Sequence, residues 1–399
     1  MAILGAELQP RNGTGMAVRI VTTAEALAAL RPAWNRLHDR CAQRSPFLSH
    51  GWMEAAWQWR GSVASLFVLC CERDGQLVGA LPMVRERVAT GGTPSRSLTF
   101  LDVPDTQRSD MLAMAGSPAI VAAAFADELL RRHVDWDVIR LRYLPAESIA
   151  ATILAAALTD RGIVSDIRAV TANPRIALDR PWDAYYASRS RRLKKATNLA
   201  ANRLAKAGRV EIQWLAPGTG DRAEVDRVLD DVIRISARSW KSQTGNSLDQ
   251  AGPQAFIRSL SHHAHDQGCL SVWRLSLDGL PIAMEYQLID DGIVYALRSD
   301  FVTDYDSLSP GSHLSRCMLE TLFNQGLRHY LMGPGDNVYK YRWADATEPV
   351  LAMTAYAPSL RGRALAAWEL SLKPAARRLR DRFRPRTGAG TSEGDDATD

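Results

Sequence analysis

Residues Ser309-Pro310-Gly311-Ser312-His313 and Gly333-Pro334-Gly335-Asp336-Asn337-Val338-Tyr339-Lys340-Tyr341-Arg342-Trp343 are where residue type and spacing best match a chemical task. The first group reads as a helix opening. Ser309 is a candidate N-cap, Pro310 falls where a missing N–H costs nothing, and Gly311 lets a ligand approach the backbone. Leu314, Met318, Leu319 and Leu322 then recur at helical spacing, and Gly326 suits the stop. Gly292 to Arg298 reads as a strand just upstream. A strand, a short loop and a helix N-terminus together form an anion site, and a pyrophosphate suits it. The second group is a glycine-rich turn followed by an aromatic, a cation and another aromatic. The plain alternative is an ordinary helix opening and a turn whose lysine lies along apolar surface.

The same residues carry a resemblance. Ser309-Pro310-Gly311, the Gly333-Pro334-Gly335-Asp336 turn and the Tyr339-Lys340-x-x-Trp343 close resemble GNAT-type acyltransferases of the CelD-like group, relatives of the FemAB aminoacyltransferases. Leu331 and Met332 stand where that family carries an Asp before the turn, which leaves the role of that carboxylate without a bearer. The resemblance spans roughly residues 20 to 360. It implies acetyl-CoA or another acyl-CoA as co-substrate, no metal, and an amine or hydroxyl acceptor, with polysaccharide or cell-envelope chemistry as context. It also implies roles. Ser309, Gly311, Ser312 and His313 would meet the cofactor, and Glu285, on the strand after a hairpin, would be the base. Tyr339 and Lys340 would orient the reacting groups, and Trp240, Arg192 and Asp336 would line the acceptor groove. Two other readings stand beside it: FemAB-like transfer from aminoacyl-tRNA, and a non-catalytic scaffold for a membrane-associated polysaccharide synthase.

Other chemistry-bearing residues point less far. Five cysteines (Cys41, Cys70, Cys71, Cys269, Cys317) form no CxxC pair, and Cys70-Cys71 sits in an apolar run, so buried free thiols are expected. His262, His263 and His265 share a helix but lack the HExxH spacing, so no metal site is expected. Arg189, Arg191, Arg192, Lys194 and Lys195 crowd one segment, which reads as a cationic wall for an anionic substrate or as a solvated helix face. Beyond residue 359, arginines interleave with Leu365, Trp368, Leu370 and Leu379 as a basic amphipathic helix. It would suit an anionic membrane surface or dock on the second lobe.

The elements that must position these groups follow from periodicity. Asp74-Gly75 joins two apolar runs, and Asp278-Gly279 joins two more, each a hairpin signal with Gly79 or Ala283 four places after the turn glycine. Helical segments precede both. The repeat implies two α/β lobes of like fold. The expected fold is two tandem GNAT-like lobes, each a mixed, mostly antiparallel sheet flanked by helices. The expected order is a disordered lead over 1–16, a first lobe over 17–175 and a basic helical connection over 176–215. A second lobe over 216–358 holds the cofactor site, followed by the basic helix over 359–386 and a disordered tail over 387–399. At 399 residues, with a net charge of +5 and a pI near 9.0, the chain is long enough for two cores and favours an anionic partner. No run approaches the roughly 20 apolar residues of a membrane span, and a cytoplasmic protein is expected.

Overall fold

The computed structural model describes residues 16–90 and 92–374, so residues 1–15 of the expected lead, residues 375–386 of the expected basic helix and the tail lie outside the described residues. The described strands are β1 (Met16–Val21), β2 (Ser65–Arg73), β3 (Gln76–Thr90), β4 (Thr93–Phe100), β5 (Leu112–Ala113), β6 (Val138–Leu144), β7 (Val164–Ala177), β8 (Val210–Leu215), β9 (Leu270–Leu277), β10 (Leu280–Asp290), β11 (Ile293–Phe301), β12 (His329–Leu331) and β13 (Ala346–Tyr356). They form one sheet in the order β1-β2-β3-β4-β6-β13-β7-β12-β11-β10-β9-β8, with β5 beside β3. Among the described strands, only β4–β6 and β11–β12 pair in parallel; every other pairing is antiparallel.

The order reads as one pattern written twice. β1-β2-β3-β4-β6 on one side answers β8-β9-β10-β11-β12 on the other. The two hairpins occupy equivalent places: Leu81 faces Leu69 as Glu285 faces Trp273. Asp74 and Asp278 both sit at φ 49°, with Gly75 at 76° and Gly279 at 80°, the two positive values a tight hairpin turn requires. A third such turn, Asp291-Gly292 at 46° and 69°, joins β10 to β11. The last strand of each half is exchanged. β13, late in the sequence, lies against β6, and β7 lies against β12, so the halves join through the β13–β7 pair. A division at residue 175 therefore falls inside β7.

Three helices, α1 (Ala24–Ala29), α2 (Arg31–His38) and α3 (His50–Arg60), precede β2. α1 gives way to α2 at Leu30, which leaves Pro32 in the first turn of α2 where its missing N–H is harmless. α4 (Pro118–Arg131) and α5 (Ala155–Thr159) complete the first half. The second half carries α6 (Trp182–Ala187), α7 (Arg191–Ala207), α8 (Arg222–Ala237), α9 (Ala251–Asp266), α10 (Pro310–Phe323) and α11 (Val338–Trp343); α12 (Leu360–Ala367) follows β13.

Alternation along the strands sorts the cores. Leu66, Val68 and Cys70 of β2 join Trp34, Trp52, Leu229, Phe256 and Tyr286 in one core shared by both halves. Phe67, Leu69 and Cys71 face the opposite way, onto α4 and the 150–159 segment. β9 and β10 likewise send Trp273, Leu275 and Ala283 toward α6, α7 and α10. Cys70 and Cys71 are thus free and buried on opposite faces, and burial pushes both thiols up, to about 12 and about 11. No described helix is long and apolar enough to cross a membrane.

Candidate active site

The site exists because a parallel strand pair comes apart. β11 and β12 are in register only from Ile293–His329 to Tyr295–Leu331. Beyond that, β11 runs on to Phe301, while the other chain turns away through Gly333, at φ 81°. The gap opens a cavity of about 560 Å3. Its walls come from β11, from Glu285 on β10, and from Gly311, Ser312 and Ser315 at the start of α10. Leu193 and Thr197 of α7, Tyr339 and Lys340 of α11, and the first-half loop Pro104–Gln107 close it.

Glu285 is the buried carboxylate of this cavity, 4% exposed. Its Oε1 accepts hydrogen bonds from Ser299 Oγ at 2.8 Å and Ser315 Oγ at 3.2 Å. Desolvation dominates over those bonds and lifts its pKa to about 7, while Lys241 pulls it back and Asp300 pushes it further up. Such a group can take a proton near neutral pH. In the first half, register places Leu81 at the equivalent point, so that half has no matching carboxylate there.

α10 begins as expected at Pro310, but Ser309 does not cap it with its side chain. Ser309 adopts the left-handed conformation, φ 54° and ψ 50°, at the end of a short 3-10 turn (Thr303–Leu308). Its carbonyl instead receives the N–H groups of Ser312 at 3.1 Å and His313 at 3.4 Å. Gly311 and Ser312 line the cavity; Ser309 and His313 do not. Burial lowers the His313 pKa, and its Nε2 lies 3.8 Å from Cys317 Sγ. An added Cβ at Gly311 would meet only Phe301 Cδ1, at 3.5 Å, so glycine is not demanded there by the protein's own packing.

The Tyr339–Trp343 stretch is helical and belongs to α11. Lys340 is 6% exposed, and its Nζ donates to the carbonyls of Gly333 at 2.8 Å and Pro334 at 3.2 Å. It clamps the turn that opens the cavity. Desolvation, with Lys241 nearby, lowers its pKa to about 8. Tyr339, 48% exposed, lines the same wall, and partial desolvation together with Glu285 and Asp300 pushes its phenol upward. Trp343 packs, and its carbonyl accepts from Tyr185 Oη at 2.5 Å.

Of the expected acceptor-groove residues, Trp240 lines the cavity, 59% exposed, with Lys241 Nζ 5.8 Å from its ring centroid. Arg192 and Asp336 do not. Arg192 is on the exposed face of α7, because Leu193 and Thr197 take the inward face. Asp336 is exposed and accepts a hydrogen bond from Tyr341 Oη at 3.0 Å. The basic segment is partly consumed by packing: Arg189 Nη1 donates to Trp343 O at 2.9 Å and Ala344 O at 3.0 Å. The histidines of α9 are dispersed. His262 meets Asp226 at 2.8 Å, His263 lies 3.3 Å from Glu54, and His265 meets the Gly220 carbonyl at 3.2 Å.

Several site residues had no local signal. Lys241 pairs with the buried Asp300 at 2.7 Å. Arg298, its side chain 1% exposed, pairs with Asp105 of the first half at 2.7 Å and donates to Asn246 O at 2.7 Å. Gln107 Nε2 donates to Ala296 O at 2.6 Å. The one available hint was Arg298 and Asp300 alternating through a strand with apolar neighbours, since charges buried in a central strand need partners.

Residues 189–341, the segment that builds most of this cavity, match the family model described as an acetyltransferase (GNAT) domain. None of the curated proteins matches the chain in sequence. Among solved structures, FemX superposes with a TM-score of 0.52 at 11% identity, covering 85% of this chain and 98% of its own. The C-terminal domain of a putative lysylphosphatidylglycerol synthetase from Agrobacterium fabrum gives 0.51 at 13% identity, covering 88% and 96%. At these identities the likeness is one of fold: a mixed α/β arrangement with a mostly antiparallel sheet flanked by helices.

Proposed function

We propose that this chain is an acyltransferase that moves an acyl group from acyl-CoA to an amine or hydroxyl at the β11–β12 opening. The observation that carries the reading is Glu285: a buried carboxylate with a pKa of about 7, in a cavity whose walls also include the start of α10. It lies within the segment that matches a GNAT acetyltransferase domain. In this reading Gly311 and Ser312 would meet the pyrophosphate with backbone N–H groups at the positive end of α10. A bound thioester supplies the activated carbonyl. Glu285 would take the proton of the attacking amine or hydroxyl, and Ser299 and Ser315 hold its carboxylate in place. The cavity's walls would hold the reacting groups together.

The CelD-like resemblance alone places the acceptor in glycan or cell-envelope chemistry, and the FemAB resemblance makes aminoacyl-tRNA the rival donor. A thermal-shift titration of the full chain with acetyl-CoA, longer acyl-CoAs and free CoA tests the donor. A ligand-dependent rise in Tm is expected in the wild type and should vanish in Gly311→Trp, whose side chain would fill the cavity. A folded protein with no shift for any of them overturns acyl-CoA as the donor and leaves aminoacyl-tRNA as the candidate to test next.

A further inference from the structure

α7 carries six cations and no acid: Arg191, Arg192, Lys194, Lys195, Arg203 and Lys206. Four of them crowd its first turns, the positive end of the helix, where acidic side chains are favoured and none stands. Arg191 and Lys195 are four residues apart, Arg203 and Lys206 three, so like charges also meet along its surface. The next helix behaves otherwise: on α8, Arg222 meets Asp266 at 2.5 Å and Arg234 meets Asp231 at 2.9 Å. Among the described residues, none of the α7 cations makes an ion pair. Lys194 Nζ donates to the carbonyl of Ala187 at 3.0 Å, and Arg203 Nη1 donates to that of Ser307 at 3.0 Å.

These charges border the cavity from outside. Leu193, Ala196 and Thr197 form α7's part of its wall. At about 100° per residue, Arg192, Lys195, Arg203 and Lys206 fall within an arc of about 80° beside Ala196, and they span about 21 Å along the helix. All four are exposed. Ser307 stands three residues before Pro310, so Arg203 sits beside the start of α10. Asp304, in the same turn, is taken by Arg238 at 2.6 Å, and Asp306 makes no ion pair with Arg203. Arg342 of α11, exposed and likewise without an ion pair among the described residues, lines the cavity itself. A solvated helix face normally mixes its signs; this rim carries one sign, next to the place where phosphates would dock.

The start of α10 can serve one phosphate cluster, because the field of a helix end fades within its first turn. CoA carries a second: the 3′-phosphomonoester of its ribose, with a charge of about −2 at neutral pH. We propose that the α7 stripe of Arg192, Lys195, Arg203 and Lys206 binds this 3′-phosphate and so selects CoA over its dephosphorylated form. This rests on the acyl-CoA reading of the same cavity. Isothermal titration calorimetry on the full chain tests it with two probes, CoA and 3′-dephospho-CoA, at low and high salt. CoA should bind about tenfold more tightly at low salt, since charge-assisted hydrogen bonds to the phosphate are at stake. The advantage should shrink at high salt, where exposed charges are screened. Arg192→Gln/Lys195→Gln and Arg203→Gln/Lys206→Gln change exposed side chains at the two ends of the stripe. Each double variant should reduce the advantage, and the fourfold variant should abolish it. Equal binding of the two probes by the wild type overturns the proposal and leaves the acyl-CoA donor standing. So does an advantage that salt leaves unchanged, or one undiminished in both double variants. A folded wild type that binds neither probe overturns the stripe and the acyl-CoA donor together.

Discussion

Glu285 combines two properties that pull against each other. Its burial costs stability, and the same burial tunes it for proton transfer. Folding raises its pKa from 4.5 to about 7, so the folded chain holds the proton more tightly than the unfolded one. Stability from this group is therefore fully present below pH 4.5, falls as pH rises between 4.5 and 7, and stays low above that. The penalty amounts to roughly 3 kcal/mol, at about 1.4 kcal/mol per unit. Glu285→Gln should thus melt higher than wild type at pH 8, with the difference shrinking toward pH 5. In the acyl-transfer reading the same variant should lose about 10²- to 10³-fold in thiol release from acetyl-CoA. The wild-type rate should climb with pH through 7 as the carboxyl ionises. An unchanged rate in Glu285→Gln would remove Glu285 from the chemistry. No gain in Tm at pH 8 in that variant would show that the carboxylate is better solvated than its surroundings indicate.

At the scale of elements, the small residue after each hairpin turn has a packing cause. β3 passes beneath α4 so closely that a Cβ on Gly79 would overlap Val121 Cγ1. Its counterpart Ala283 is fully buried against the helices of the other half. Gly79→Ala should cost about 1–3 kcal/mol by overpacking. Val121→Ala in the same chain should recover part of that loss, a coupling that denaturant unfolding of the two single variants and the double variant would measure. Strictly additive losses would mean that the backbone, not Val121, resists the side chain. The clamp of Lys340 on Gly333 and Pro334 belongs to this scale as well. The Tyr-Lys-x-x-Trp spacing was legible as something deliberate, but its form was not. Six residues make a helix here because the buried Trp343 and Lys340 tie it down; Asn337 stands at its N-cap without a side-chain capping bond.

At the scale of the molecule, the exchange of last strands makes the halves interdependent. Without residues 16–177, β12 loses its neighbour β7, and β13 loses both its partners. The shared core of Trp34, Trp52, Leu229 and Phe256 adds apolar contact across the same boundary, with Trp52 and Phe256 edge to face at 5.3 Å. Calorimetry should accordingly show one cooperative unfolding transition for the whole chain. Two resolved transitions would mean that each half is stable without its exchanged strand.

What the sequence determined by itself was local and periodic. The two Asp-Gly hairpins, the amphipathic helices and the start of α10 at Pro310 follow from short-range rules of turn chemistry and spacing, and the candidacy of Glu285 from the family resemblance laid over the second hairpin. The duplication was legible because those rules repeat at like intervals. Tertiary structure alone decided three things. It exchanged β7 and β13, because strand order depends on long-range pairing that no local pattern encodes. It turned Arg192 and Asp336 away from the cavity, because the inward face of α7 is set by Leu193 and Thr197 and the turn at Gly333 is held by Lys340. And it brought Asp105 and Gln107 from the first half against Ala296 and Arg298, across some 190 residues of chain. A single Asp in a loop carries no mark of the arginine it will meet; only the packed fold brings the two together.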